Sequence, residues 1–203
     1  MLAGCTPDIV CLQEVDVHRR RSRFSHQAEE IADNLEMYCH FESSLDLAEG
    51  AYGNAILSRF PLKLVRYARL PKPRGFPIES RGALWVTFDG LPLHIINTHL
   101  GLLPFERLQQ VREILSWVEH SEGPHVLCGD FNCLPGSREH QLLAKRLRDA
   151  VVGKRLPTFW LWRLDHVFCS PELKVAGCSV PLSRTSRLAS DHLPLVVDFQ
   201  LER

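Results

Sequence analysis

Short apolar runs separated by polar turns organise this chain. Runs at 8–13, 53–58, 83–88, 93–98, 125–129, 165–169, 174–180 and 194–201 have the length and the β-branched content of strands. Asp89-Gly90-Leu91-Pro92 links two of them with turn-forming chemistry, which predicts an antiparallel hairpin of 83–88 with 93–98. Helical periodicity is rarer. Ala28, Ile31, Ala32 and Leu35 share one face after Ser25, a candidate N-cap. Leu108, Val111, Leu115 and Val118 predict a helix over 105–119, and a third starts near Ser137 and carries Leu142, Leu143 and Leu147. Many strands with few helices predict a layered α+β domain, its sheets stacked and flanked by helices.

Composition adds limits. The 203 residues are 45% hydrophobic, enough for a substantial core, and no repeat or linker divides them, so one domain is expected. Lys and Arg balance Asp and Glu at 24 each, so attraction to nucleic acid would have to be local. The seven cysteines are odd in number, contain no CxxC and fall mostly in apolar runs, which predicts free core thiols in a reducing compartment. No apolar run approaches the roughly 20 residues of a membrane span, and the first residues lack the pattern of a signal peptide. A cytoplasmic, monomeric protein without a transmembrane segment is the expectation.

The polar residues at the ends of the strands repeat a theme. Run 8–13 ends in Gln13-Glu14, run 93–98 in Asn97-Thr98-His99, and run 125–129 in Gly129-Asp130-Phe131-Asn132. Run 165–169 opens on Asp165-His166, and Ser190-Asp191-His192 precedes the last run. Five tips carrying carboxylates and imidazoles predict one shared rim. Acidic oxygens without cysteine or multiple-histidine spacing suit a hard cation such as Mg²⁺ or Mn²⁺. That ion beside histidines and amides suits phosphoryl chemistry by activated water.

The blocks LQEVD, YGNAILSR, INTHL, GDFN, LDHVF and SDHLPLVVDF, in this order from residue 7 to about 199, resemble the endonuclease/exonuclease/phosphatase (DNase I-like) superfamily. The resemblance implies a four-layer α/β/β/α sandwich of two mostly antiparallel sheets. It implies a divalent-metal-dependent phosphoester hydrolase, most directly a phosphodiesterase, acting on nucleic acid, a phospholipid head group or a small phosphodiester. Glu14 then corresponds to the principal metal ligand and Asp191 to a further metal-proximal acid. Asp130 and Asn132 correspond to the pair that positions or deprotonates the attacking water. His192, oriented by Asp165, corresponds to the phosphate-contacting histidine or general base, and His99 to the histidine near the leaving group. Arg81, Tyr52 and Asn54 fall where the family places phosphate-contacting groups.

Structural readings stand beside these. Asp130 and Asn132 suit an Asx-type turn, and His99 suits a satisfied core histidine. Trp160 and Trp162 suit either the aromatic wall of a groove or core packing. His18-Arg19-Arg20-Arg21-Ser22-Arg23, a solvated loop by composition, follows Glu14 closely enough to meet a polyanion. A calcineurin-like metallophosphoesterase is disfavoured, since Gly53-Asn54 continues as Ala55-Ile56 rather than GNH. Family members normally open with a further strand ending in an asparagine that supports the metal site. Here the thirteen residues before Glu14 contain none, so 1–203 is expected to be a single, N-terminally shortened domain. The alternative function is therefore a weakened or inactive binding protein on the same fold.

Overall fold

The computed structural model describes residues 2–73 and 75–201. Its strands are β1 (Ile9–Val17), β2 (Tyr38–Leu47), β3 (Gly50–Ser58), β4 (Leu62–Arg69), β5 (Gly82–Phe88), β6 (Leu91–His99), β7 (His125–Asp130), β8 (Arg148–Asp149), β9 (Asp165–Cys169), β10 (Lys174–Ser179) and β11 (Val196–Gln200). Helices α1 (Gln27–Leu35), α2 (Pro104–Val118), α3 (Arg138–Leu143) and α4 (Arg184–Ala189) complete the framework.

Four layers result. A six-stranded sheet in the order β4-β5-β6-β7-β9-β8 is antiparallel except at β6–β7, where α2 makes the crossover that parallel neighbours require. Helices α2 and α3 pack on one of its faces through Val111, Ile114, Trp117, Phe131 and Phe168. The other face meets β1, β3, β10 and β11 through Ile56, Leu84, Val86, Ile95 and Val167, joined by Cys11, Val175 and Val197. Helix α1 covers the outside of the sheet β1-β3-β2 through Ala28 and Ala32. The expected sandwich is therefore present, with one refinement: β10 and β11 pair as a separate two-stranded sheet rather than joining β1-β3-β2.

The expected hairpin forms as β5 and β6, turned by Asp89 and Gly90, whose φ of 79° suits glycine. Three strands escape the sequence reading: β2, β4 and the two-residue β8, which is too short to give a pattern. β2 (YCHFESSLDL) and β4 (LKLVRYAR) end their sheets and carry polar residues among the apolar ones, so no clean alternation marks them. Ser25 does not cap α1. Its carbonyl accepts from His18 N, which keeps the chain extended one residue longer, and His26 Nδ1 accepts the cap bond from Glu29 N at 3.3 Å. Ser137 caps α3 as expected, but the helix stops at Leu143, and Leu147 is buried beyond it. All seven cysteines are free.

Candidate active site

Strand register builds half of the rim. His99 at the end of β6 lies beside Asp130 at the end of β7, and Asp130 lies opposite Asp165 at the start of β9. Laterally paired residues present their side chains to the same face of a sheet, so these three form one row. His166 follows Asp165 and therefore points the other way, into the core against Phe131 and Phe168. Gly129, just before Asp130, adopts φ 138° and presses on Thr98, whose carbonyl oxygen a Cβ would strike. Only glycine permits that approach, which accounts for the first letter of GDFN.

Glu14 arrives from the other sheet on a bulge. Leu12 pairs with Ala55 and Val15 with Gly53, so Gln13 and Glu14 together face Asn54. Glu14 takes the left-handed φ of 60°, which turns its carboxylate out of the ladder while Val15 returns to the core. A buried cross-link fixes the bulge: Gln13 Nε2 donates to Asn97 Oδ1 at 2.7 Å, and Asn97 Nδ2 donates to the carbonyls of Leu12 and Ala55, both at 2.9 Å. The Glu14 carboxylate then stands 3.7 Å from His99 Nδ1 and 3.9 Å from Arg81 Nη1.

His99 is the hinge between the halves. Arg81 Nη1 donates to its Nδ1 at 3.0 Å, which leaves the ring proton on Nε2, 3.4 Å from Asp130 Oδ2. Burial, with help from Arg81, lowers its pKa to about 3, so the ring is neutral. Asp130 Oδ1 accepts from Asn132 N at 2.8 Å, so the Asx-type turn exists, and it leaves Oδ2 facing the site. Asn132, at a φ of 48° that asparagine tolerates, donates from Nδ2 to Leu100 O at 2.9 Å and lies 3.1 Å from His99 Nε2. Burial and the neighbouring Asp165 raise Asp130 to about 6. His192 Nδ1 donates to Asp165 Oδ2 at 2.7 Å, and its Nε2 faces Asp130 Oδ2 at 4.0 Å. The bond to Asp165 raises His192 to about 9, so burial and pairing push neighbouring groups apart.

The remaining predicted residues divide. Buried Arg81 reaches His99, Glu14 and, at 3.2 Å, Glu79. Tyr52 is buried with its phenol raised by burial and then by the adjacent Glu14 carboxylate. Asp191 is exposed next to His192. Asn54 does not join them: fully buried, it donates to Gly82 O at 2.9 Å and ties β3 to β5 beneath Arg81. The basic run splits too, since Arg21 clamps Asp16 with two bonds at 2.6 and 2.7 Å and covers the Tyr52 ring, while Arg20 and Arg23 face solvent. Gln13 and Asn97 are the functional supports that sequence reasoning missed. Both stood inside the QE and INTHL blocks, where the neighbouring acid and histidine drew the attention.

The profile of the Endonuclease/Exonuclease/phosphatase family matches residues 1–192. The chain belongs to this family. Among its relatives is the uncharacterised YbhP of Escherichia coli K12, 30% identical over 215 residues that cover 96% of this chain and 83% of YbhP. Similar solved structures include a conserved protein of unknown function from Enterococcus faecalis V583 (TM-score 0.79, 22% identity, 99% of this chain and 88% of that one). They include the catalytic domain of human Nocturnin with bound sulfate (TM-score 0.75, 22% identity, 98% and 82%) and the mannosyl-6-phosphatase Bt3783 of Bacteroides thetaiotaomicron (TM-score 0.76, 19% identity, 98% and 89%).

Members of this family generally use divalent metals, and the rim offers oxygen donors from Glu14, Asp130 and Asp191 with no thiolate among them, but among the described residues no three of its donor atoms lie within 4.8 Å of one another. A second cluster is close enough but is already satisfied. His140, Asp149 and His166 bring ligand atoms within 4.8 Å of one another behind the sheet. There Arg163 donates to both Asp149 oxygens (2.9 and 2.5 Å), Val151 N to Oδ1 and His140 Nε2 to Oδ2, both at 2.9 Å. Those four bonds occupy the carboxylate lone pairs, and the guanidinium supplies the positive charge an ion would bring.

Proposed function

We propose that the rim hydrolyses phosphoesters, most directly phosphodiesters, with Mg²⁺ or Mn²⁺. The observation that carries this reading is the convergence of Glu14, His99, Asp130, His192 and Asp165, brought from five separate segments to neighbour separations of 2.7 to 4.0 Å. A scaffold that only binds has no need of that convergence.

Glu14 is the residue that would hold the ion, with exposed Asp191 as the outlying acid. When bound, the ion supplies neutralisation of charge on the phosphoryl oxygens. Asp130 Oδ2, faced by both imidazoles, accepts the proton of the attacking water, with Asn132 fixing its carboxylate. His192, positive and aligned by Asp165, meets the phosphate. Neutral His99 donates from Nε2 towards the leaving group, while Arg81 and Tyr52 contact phosphate oxygens from the Glu14 side. Nocturnin's bound sulfate and the phosphatase named for Bt3783 support a tetrahedral oxyanion as the ligand.

A panel of phosphodiesters and phosphomonoesters assayed with Mg²⁺, with Mn²⁺ and with EDTA tests the reading. Hydrolysis is expected only with metal and is expected to vanish in Asp130→Ala and His192→Ala. Activity that survives EDTA and both substitutions would overturn it.

A further inference from the structure

The two ends of the sandwich differ in a way the chemistry of the rim does not require. Six of the seven connections at the catalytic end expose a large apolar side chain; the tight turn 48–49 does not. Phe24 stands in 18–26, and Phe76 in 70–81 packs edge-on against Phe105 after β6 at 6.3 Å. Leu102, Leu134 and Leu188 mark three more, in 100–103, 131–137 and 180–195. The connection 150–164 carries the most exposed tip, with Trp160 at 81% and Leu161 at 72% accessible. By contrast, the turns 59–61, 89–90, 119–124 and 170–173 at the far end expose none; among the described residues that half shows Tyr38, Leu201 and, on β4, Leu64 and Val65.

Charge follows the same division. Arg20, Arg23, Lys154, Arg155, Arg184 and Arg187 are exposed at the catalytic end without an ion pair among the described residues. Three acids there are held by arginine, Glu49 by Arg19, Glu79 by Arg81 and Asp46 by Arg69, while Glu14 and Asp191 are exposed in the site itself. The far turns carry Asp89, Glu119, Glu122 and Glu172 beside Arg59, with Lys63 paired to Asp89 and Arg146 to Glu119. The catalytic face of a chain of zero net charge thus combines six unpaired cations with exposed apolar side chains.

The Trp160 tip is built, not frayed. Phe159 N donates to Trp162 O and Trp162 N to Phe159 O, at 2.9 and 2.8 Å, closing a two-residue turn in which Trp160 has φ 51°. Thr158 anchors it to the catalytic row: its Oγ1 accepts from Asp165 N at 3.2 Å, and its carbonyl accepts from Leu193 N at 2.7 Å. The Phe159 ring stands 4.8 Å from the His192 ring. Beside the tip runs a groove of about 630 Å³ walled by Leu134, Val151, Val152, Leu156, Leu161 and Trp162, with Lys154 and Arg155 also lining it. Five of these six apolar walls are aliphatic, suited to hydrocarbon, whereas single-stranded nucleic acid is gripped by aromatic platforms.

We propose that the catalytic end docks on an anionic phospholipid bilayer, with Trp160 and Leu161 entering the interface and the free cations meeting head groups. The phosphoester cleaved is then that of a lipid in the bilayer, a substrate class that rests on the hydrolase reading above; the docking itself does not. Co-sedimentation of the full chain with phosphatidylcholine vesicles, and with mixed phosphatidylcholine and phosphatidylglycerol vesicles, tests it beside Trp160→Asn/Leu161→Ser. The native chain is expected to bind the mixed vesicles preferentially and to release them in high salt. The double variant should lose about tenfold in partitioning and cleave vesicle phosphatidylglycerol more slowly, while its metal-dependent hydrolysis of soluble bis(p-nitrophenyl) phosphate is unchanged. Equal vesicle binding by both chains, or none by the native chain, overturns the docking even where the soluble ester is cleaved. A variant that loses a single-stranded oligonucleotide instead of vesicles overturns it in favour of base stacking. Tip-dependent vesicle binding with no hydrolysis of any ester upholds the docking and removes the catalytic reading alone.

Discussion

His192 Nδ1 sits 2.7 Å from Asp165 Oδ2 although 27 residues separate them, and this one bond fixes both the direction and the charge of the imidazole. Asp165 raises His192 to about 9, so the ring is an imidazolium at neutral pH, suited to meeting phosphate rather than to taking a proton from water. Asp165→Asn removes the carboxylate charge. A histidine-resolved NMR titration without divalent ion should show the His192 midpoint near 9 in the native chain and at or below 6.5 in the variant. Activity should fall by about 10²-fold or more.

Asn97 joins the two sheets under Glu14, and its loss reaches both stability and the site. Asn97→Ala strands the Gln13 amide and the carbonyls of Leu12 and Ala55 in the interior. Urea unfolding is expected to show a loss of roughly 3 kcal/mol. A change below about 0.5 kcal/mol, typical of a neutral surface substitution, would show that the cross-link is dispensable.

Acid should unfold the protein in two stages with the same sign. Burial lowers His166 to about 4 from an ordinary 6.5, so between those values the unfolded chain binds a proton that the folded chain refuses. Stability is full above pH 6.5 and falls by about 3 kcal/mol as pH drops to 4. Burial pushes Asp149 up, but bonds from Arg163, His140 and Val151 N outweigh it and hold the group well below the usual carboxylate range. Its contribution is present above the ordinary carboxylate pKa and is lost at still lower pH. Unfolding free energies measured from pH 7 to 4 should fall more steeply in the native chain than in His166→Gln, where buried His99 still contributes a fall of the same sign.

Much of this was legible in the sequence because the site is carried by strand ends. Glu14, His99, Asp130, Asp165 and His192 each follow or precede an apolar run, and antiparallel or crossover-linked strands bring such tips to one edge. The hairpin of β5 and β6 and the helix α2 were equally plain, since Asp89-Gly90 and a one-faced apolar stripe speak locally. What stayed hidden depends on partners distant in the chain. Asn54 looks like a site residue by its block, yet the carbonyl of Gly82 claims it. Asn97 looks like a spacer before His99, yet it links the sheets. The Trp160 turn gives no alternation, and only its exposure shows that it is not core.

Metal dependence through Glu14 tests the account most directly. Initial rates of bis(p-nitrophenyl) phosphate hydrolysis are to be measured across a Mg²⁺ titration for the EDTA-treated native chain and for Glu14→Gln. The account predicts no rate without metal, saturation in the native chain, and a requirement for about tenfold or more Mg²⁺ in the variant. A rate that persists without metal, or the same Mg²⁺ dependence in both chains, would contradict it.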